Sequence, residues 1–427
     1  MKSIKNSPWV VCLSAALFFF YEFIQSNMFS SIAADVMADF HINAETYSQL
    51  SSIYFLANVI FLFPAGAILD RFSTKRVILL SLGICIFGTF LFAQSSYYSI
   101  ALCCRFLTGI GSAFCFLACI RLASRWFPQN RLALATGVIV TFAMTGGMIA
   151  QTPLTLLIEH FNWRTAITLD AFLGIIIFFA IIAFVKDYPD QVGRILFTPT
   201  DNTVGANNIR PTINQMGVLK SMKAAYFRLT NLLCAFYASL MNMPIVVLGA
   251  MAGGIYLTQA YHLSREEASY SMSLLFFGTL VGSPLVGYFS DYIEKKRCLM
   301  IAGNLLSLVV VLVLFYVPSM SIFSVLSLFF LLGFLTSTQI LSYPMVAENN
   351  SHELTATAVS VVSIMTQGGP ILYQNLFGHL LQIHWDGTMV SGIPFYSLSN
   401  YQYALWIIPA GFIIALISVL LLKEKAR

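Results

Sequence analysis

Charge is the scarcest thing in this chain: 10% of its 427 residues are charged, while 58% are hydrophobic. Soluble domains carry about 25% charged residues, so a soluble globule of this length is excluded. Metal-binding patterns are absent too, because the six histidines are not spaced with cysteines as a ligand cluster. The eight cysteines, Cys12, Cys85, Cys103, Cys104, Cys115, Cys119, Cys234 and Cys298, lie within or beside apolar runs. They read as small packing residues rather than disulfides. No G-x-x-x-x-G-K-[ST] phosphate loop, H-E-x-x-H or G-x-S-x-G occurs, which argues against an ATP-driven pump and a hydrolase. No catalytic residue, metal or cofactor is therefore predicted. No repeated filter or ring of charge supports a channel. The net charge of +5 follows from topology, as shown next, and indicates no nucleic-acid partner.

What is present is a series of twelve apolar segments, near 8–34, 46–69, 76–95, 98–121, 132–157, 165–186, 231–259, 268–289, 297–317, 321–346, 355–381 and 402–422. Each reaches the roughly 20 residues that span a bilayer, so the fold class is an all-α membrane protein. The first segment exceeds a signal-peptide core and lacks a small-residue cleavage site, so it stays a span. An even number of spans puts both termini on one side. With the termini cytoplasmic, twenty of the twenty-three Lys and Arg residues lie inside, Arg164 and Arg265 face outward and Arg105 lies within a span. The positive-inside bias predicts a multi-pass inner (cytoplasmic) membrane protein with both termini cytoplasmic. Residues 187–230 are the one long polar stretch. The expected division is a bundle over 1–186, a cytoplasmic linker over 187–230 and a bundle over 231–427. Met216 to Leu229 spaces basic and apolar residues as a surface-lying helix does. The loop from His384 to Tyr401 is expected outside, rich in Gly, Ser and Tyr and nearly uncharged.

The halves repeat. Gly66-Ala67-Ile68-Leu69-Asp70-Arg71-Phe72-Ser73-Thr74-Lys75-Arg76 aligns with Gly287-Tyr288-Phe289-Ser290-Asp291-Tyr292-Ile293-Glu294-Lys295-Lys296-Arg297 at an offset of 221. The same offset sets Ala135-Thr136-Gly137-Val138 against Ala356-Thr357-Ala358-Val359, and Met144-Thr145-Gly146-Gly147 against Met365-Thr366-Gln367-Gly368. A fixed offset over this distance indicates a duplicated half, the mark of secondary transporters with a site between the halves.

The Asp70 segment resembles the loop motif after the second helix of major facilitator superfamily transporters, with Ser73 in place of the glycine commonly found there. Arg105-Phe106-Leu107-Thr108-Gly109-Ile110-Gly111 resembles that superfamily's fourth-helix motif. The resemblance covers essentially the whole chain and implies twelve helices in two pseudo-symmetric six-helix bundles. Trp126-Phe127-Pro128 and Asn162-Trp163-Arg164 look like nutrient carriers, including relatives of lysosomal dipeptide transporters and bacterial amino-acid transporters. Helix five has Gly146-Gly147 and Pro153 without the paired Gly-Pro of drug antiporters. A monomer is the state the superfamily implies.

By resemblance, Asp70, Arg71, Lys75 and Arg76, with Asp291, Lys296 and Arg297, latch the halves in the outward-open state. Chemically, Asp70 can accept hydrogen bonds at a helix N-terminus, and the cations can bind helix ends or lipid phosphates. The plainer reading is that they only set topology.

Glu22 lies about 21 Å along the first span at 1.5 Å per residue, where a charge costs about 2.5–3.5 kcal/mol. Gln25 and Ser26 share its helix face, a polar stripe that reads as a water-lined wall. Arg105 sits at a comparable depth in span four. Either Arg105 binds a substrate carboxylate while Glu22 takes its amine or a proton, or the two form a proton switch, or they are a fixed ion pair. In the second half, Asn242 beside Pro244 marks a break in span seven. Gln339, Ser342 and Tyr343 are assigned to one face of span ten. Gln367, Tyr373 and Gln374 are candidates in span eleven, next to Gly368-Gly369-Pro370. Each serves substrate contact or inter-helix hydrogen bonding equally well.

The expected function is alternating-access transport of a small polar solute, such as an amino acid, dipeptide or organic acid. Proton-coupled uptake comes first, then passive uniport. The rival is export of a polar metabolite such as a carboxylate siderophore, and a non-transporting receptor or scaffold is the remote one. The partners are a small-molecule substrate, protons and membrane lipids.

Overall fold

The computed structural model describes residues 7–189, 226–293, 295–317, 320–350, 355–390 and 392–422. The expected surface helix lies outside the described residues up to position 225, and so do the side chains of Asp70 and Asp291. The chain forms α1 (Pro8–Asn27, continued by Phe29–Phe40), α2 (Ala44–Arg71), α3 (Thr74–Gln94), α4 (Tyr98–Trp126), α5 (Leu134–His160) and α6 (Trp163–Phe184). The second half repeats this with α7 (Leu229–Ala260), α8 (Arg265–Ile293), α9 (Lys296–Tyr316), α10 (Ile322–Asn349), α11 (Thr355–Ile383) and α12 (Leu398–Leu421). The helices start where side chains can satisfy free backbone donors. Asn43 caps α2 through Thr46 N–H, Ser73 caps α3 through Arg76 N–H, and Ser397 and Asn400 form a reciprocal capping box on α12.

Eleven helices among the described residues are long and apolar enough to cross a membrane. The twelfth, α11, has 29 residues but carries Thr366, Gln367, Gln374, Asn375 and His379. Much of that polarity faces protein: Asn375 donates to Ser52 of α2 at 2.9 Å, and His379 lies 3.2 Å from Glu45 of the same helix. A helix that packs across the molecule need not be apolar all round.

The first and fourth helices of each half are interrupted. α1 breaks at Met28, and α4 breaks at Ala113 and Phe114. α7 passes through a π-helical stretch, Ile245–Ala252, and α10 through a 3₁₀ turn, Ser337–Leu341. Such breaks free backbone groups and are tolerated at membrane depth only inside protein or along a cavity.

The core explains how the halves sit together. One buried cluster, including Val11, Phe18, Leu82, Leu122 and Ile181, belongs to the first half alone. The other runs without a gap from Phe29, Tyr47 and Phe92 of the first half to Tyr237, Leu275 and Phe329 of the second. The halves therefore share a core at the end remote from the termini. They meet there through α1 with α7, α2 with α11 and α5 with α8.

Candidate functional site

Buried polar groups gather in the first half. Glu22, on the unbroken part of α1, is 1% exposed. Its carboxylate accepts the Tyr54 hydroxyl at 3.0 Å and the Cys85 thiol. Gln25, one turn on, is fully buried; its amide donates to the Asp170 carboxylate of α6, and its carbonyl accepts the Thr89 hydroxyl at 2.9 Å. Ser26 turns back to the carbonyl of Phe23 in its own helix. The polar stripe of α1 is thus packed into the first bundle, not laid along an open wall, because α2, α3 and α6 supply polar partners.

Arg105 is also 1% exposed. Its guanidinium lies 4.5 Å from the centre of the Phe29 ring and 4.8 Å from that of Tyr54. None of its three nitrogens has a hydrogen-bond partner among the described residues, and no ion pair joins it to Glu22. Tyr54 links the two instead, donating to Glu22 while its ring faces Arg105. Cation–π contact contributes about 2 kcal/mol or more when desolvated. An unsatisfied buried donor costs about 1–3 kcal/mol, more when charged.

The second half contributes neutral groups. The Asn242 carbonyl accepts from Ile245 and Val246 N–H as the chain passes Pro244, so the expected break in α7 is present. Gln374 donates to the Val246 carbonyl at 2.9 Å, inside the π-helical stretch. Tyr373 shares a hydrogen bond of 2.9 Å with Ser239, which itself donates to the Met365 carbonyl at 2.6 Å. Gln367 is exposed, and Gln339 and Tyr343 are half-buried. Gln339 lies inside the 3₁₀ turn Ser337–Leu341 and Tyr343 beyond it, so the α-helical spacing that grouped them does not hold there.

Contacts between the halves cluster at the end remote from the termini. Asp35 of the first half pairs with Arg265 of the second, which also donates to the Ser31 carbonyl at 2.7 Å. Glu45 meets His379 at 3.2 Å. Gln151 donates to the Gly249 carbonyl at 2.9 Å, and Thr152 bonds Ser273 at 2.7 Å. The loop before α12 closes over the same end: the phenol oxygen of Tyr396 accepts the Ala44 N–H at 3.0 Å and its O–H donates to Gln382. Burial pushes that phenol up to about 12, so it keeps its proton. A Cβ on Gly378 would strike Ser48 and the Ala44 carbonyl of α2, and one on Gly147 the Phe276 ring of α8. At the terminus-bearing end, a Cβ on Gly66, Gly137 or Gly287 would meet nothing within 4 Å. Among the described residues the halves are thus joined at the end remote from the termini.

The motif cations bind their own half. Lys75 donates to the Ile182 carbonyl in the last turn of α6 at 2.7 Å, and Arg297 to the Val419 and Leu420 carbonyls of α12 at 3.1 and 2.6 Å. A cation at a helix C-terminus is favoured by about 0.3–1 kcal/mol, and the duplicated halves both use it. Lys296 pairs with Glu348 at 2.7 Å, while Arg71 and Arg76 are exposed. Among the described side chains, Asp187 places a carboxylate at the N-terminus of α3, accepting from Lys75 N–H at 2.9 Å and from the Ser73 hydroxyl.

Sequence reasoning passed over Asp170, Asp187, Asp35 and Tyr54. Asp170 had a signal, an acid in the midst of an apolar run, equal in kind to that of Glu22. The other three acquire significance only from what folds against them.

The chain matches the family profile described as Major Facilitator Superfamily over residues 12–252 and 230–427. It is 31% identical to the uncharacterized transporter YybO of Bacillus subtilis over 137 residues, 32% of each chain. It is 25% identical to the probable galactarate/D-glucarate transporter GudP of the same organism over 307 residues, 65% of each chain. The chain thus spans less than two thirds of these relatives. Its fold is similar to a bacterial homologue of the human lysosomal transporter Spinster in an inward-facing, unoccupied conformation. That likeness has a TM-score of 0.74 and 16% identity, covering 98% of this chain and 96% of the other. With the profile matching both halves of a duplicated twelve-helix fold, the chain belongs to the Major Facilitator Superfamily.

Proposed function

We propose that this transporter takes up a small polar solute bearing a carboxylate, such as an amino acid, dipeptide or organic acid, with protons across the inner membrane. The observation that carries the reading is Arg105: a buried guanidinium with three unpartnered nitrogens, held in shape by two aromatic rings. A fixed structural cation would be expected to have an acid beside it; one kept for a transported anion would not. Arginine suits that task because its planar donors match a carboxylate in bidentate fashion. The name of the galactarate/D-glucarate relative is in keeping with an acidic solute. Glu22 is the proton carrier, close enough to sense the anion through Tyr54.

In this reading the terminus-bearing end is cytoplasmic, in line with the positive-inside bias, so the conformation is inward-open. The two bundles, 1–186 and 231–427 with the linker 187–230 between them, rock about a central site as a monomer. Asp70, Asp291 and the motif cations close the cytoplasmic end when the outer end opens. Asn242, Gln339, Tyr343, Gln367, Tyr373 and Gln374 supply neutral contacts from the second bundle.

The test is uptake of a labelled amino-acid, dipeptide and organic-acid panel into proteoliposomes, with and without an inward proton gradient, for wild type and Glu22→Gln. Gradient-stimulated uptake that Glu22→Gln abolishes, with exchange surviving, is expected. Flux indifferent to both replaces this reading with passive uniport. Absence of uptake, with outward flux from loaded vesicles, replaces it with export.

A further inference from the structure

One buried carboxylate takes no part in the reading above. Asp170 is 7% exposed and lies on the packed face of α6 with Ile167, Ala171 and Gly174. It accepts the Gln25 amide and has no cationic partner among the described residues. Gln25 stands three residues on from Glu22, so the two carboxylates border one face of α1. The titratable groups facing Asp170 are Tyr21 and Glu22 of α1, and Cys85 of α3 lies beyond them, donating to Glu22. The cations on neighbouring elements are engaged elsewhere: Arg164 with Asp39 at 3.2 Å, and Lys75 with the Ile182 carbonyl.

Among the described residues, the interior of the first bundle therefore holds two carboxylates and one guanidinium, with no ion pair among them. If a solute carboxylate docks on Arg105, those two charges cancel. The loaded interior is then neutral only when Glu22 and Asp170 both carry protons. One proton alone leaves a net negative charge inside the bilayer, where charge is strongly disfavoured.

We propose that Asp170 is a second proton-binding group of the carrier, so that the interior loaded with a monoanionic solute holds two protons, one on Glu22 and one on Asp170. The empty interior is neutral when Glu22 has released its proton and Asp170 has kept its own, so each turn moves one proton with one monoanion and no net charge. Gln25 positions Asp170 and ties its state to α1, the helix that carries Glu22. The inference rests on the proton-coupled reading, but its central claim is about proton binding and can be tested without a substrate.

Infrared difference spectra of the purified full chain in lipid, recorded through a pH titration, read buried carboxyl groups directly. Two titrating buried-carboxyl bands are expected in wild type, one lost in Asp170→Asn and the other in Glu22→Gln. Asp170→Asn keeps an oxygen for the Gln25 amide, so folding is expected to survive. If that variant fails to fold, the number of titrating bands in wild type decides. A single band, or an Asp170→Asn spectrum identical to wild type, overturns the proposal.

Discussion

At the scale of the residue, an arginine without an acid is the strongest functional statement the molecule makes. Arg105→Gln removes the charge and leaves Phe29 and Tyr54 in place. Hydrogen bonds to charged groups contribute about 1.5–3 kcal/mol, so carboxylate affinity should fall roughly 10- to 100-fold. Thermal stability should hold or rise, because an unsatisfied buried cation disappears. Unchanged affinity together with a lower melting temperature would make Arg105 structural. Glu22 and Arg105 were legible in the sequence because a charge within an apolar run stands out without any structure. Asp170 carried the same mark. What the sequence lacked was partners: nothing in it says that the Tyr54 phenol reaches Glu22, or that Gln25 bridges Thr89 and Asp170.

At the scale of the element, helix pairs touch where glycine permits. α11 meets α2 at Gly378, where a side chain would collide with Ser48, while Gly137 at the open end faces empty space. Gly378→Leu should therefore prevent closure of the end remote from the termini. A cysteine introduced at Ser52 should then react several-fold faster with a membrane-impermeant thiol reagent added at that end. Gly137→Leu should leave this conformation intact. Equal labelling in both variants would show that close approach of α2 and α11 does not control that end. The twelve segments were readable from hydropathy and the repeat from its offset. The interruptions of α4 and α10 were not, since neither break holds a proline, and α7 announced its own only through Pro244.

At the scale of the whole molecule, closure combines a continuous apolar core with an ion pair across the halves, Asp35–Arg265, and a second, hydrogen-bonded pair, Glu45–His379. The side chains of the first pair are about one third exposed, at 30% and 32%. Such pairs contribute about 0.2–1 kcal/mol, enough to bias a two-state equilibrium roughly 1.5- to 5-fold without dictating it. Arg265→Ala should shift spin-label distances across the remote ends toward the longer population by that factor. A larger shift would mean that the pair, not the core, holds the end shut. No shift would leave closure to the core and to Tyr396.

Composition, the 221-residue offset and the buried charges of α1 and α4 determined the membrane class, the duplication and the first candidates. These are properties of single segments, and hydropathy and charge act on segments one at a time. Only the tertiary structure decided which end is closed, that Glu22 and Arg105 form no ion pair with each other, and that Gln25 meets Asp170 and Lys75 N–H meets Asp187. Each of those facts depends on two or more helices meeting at a particular height and rotation. Between helices in lipid the apolar background is the same everywhere, so small residues and a few polar contacts set the fit. Those contacts are far apart in sequence and acquire meaning only when the helices are packed.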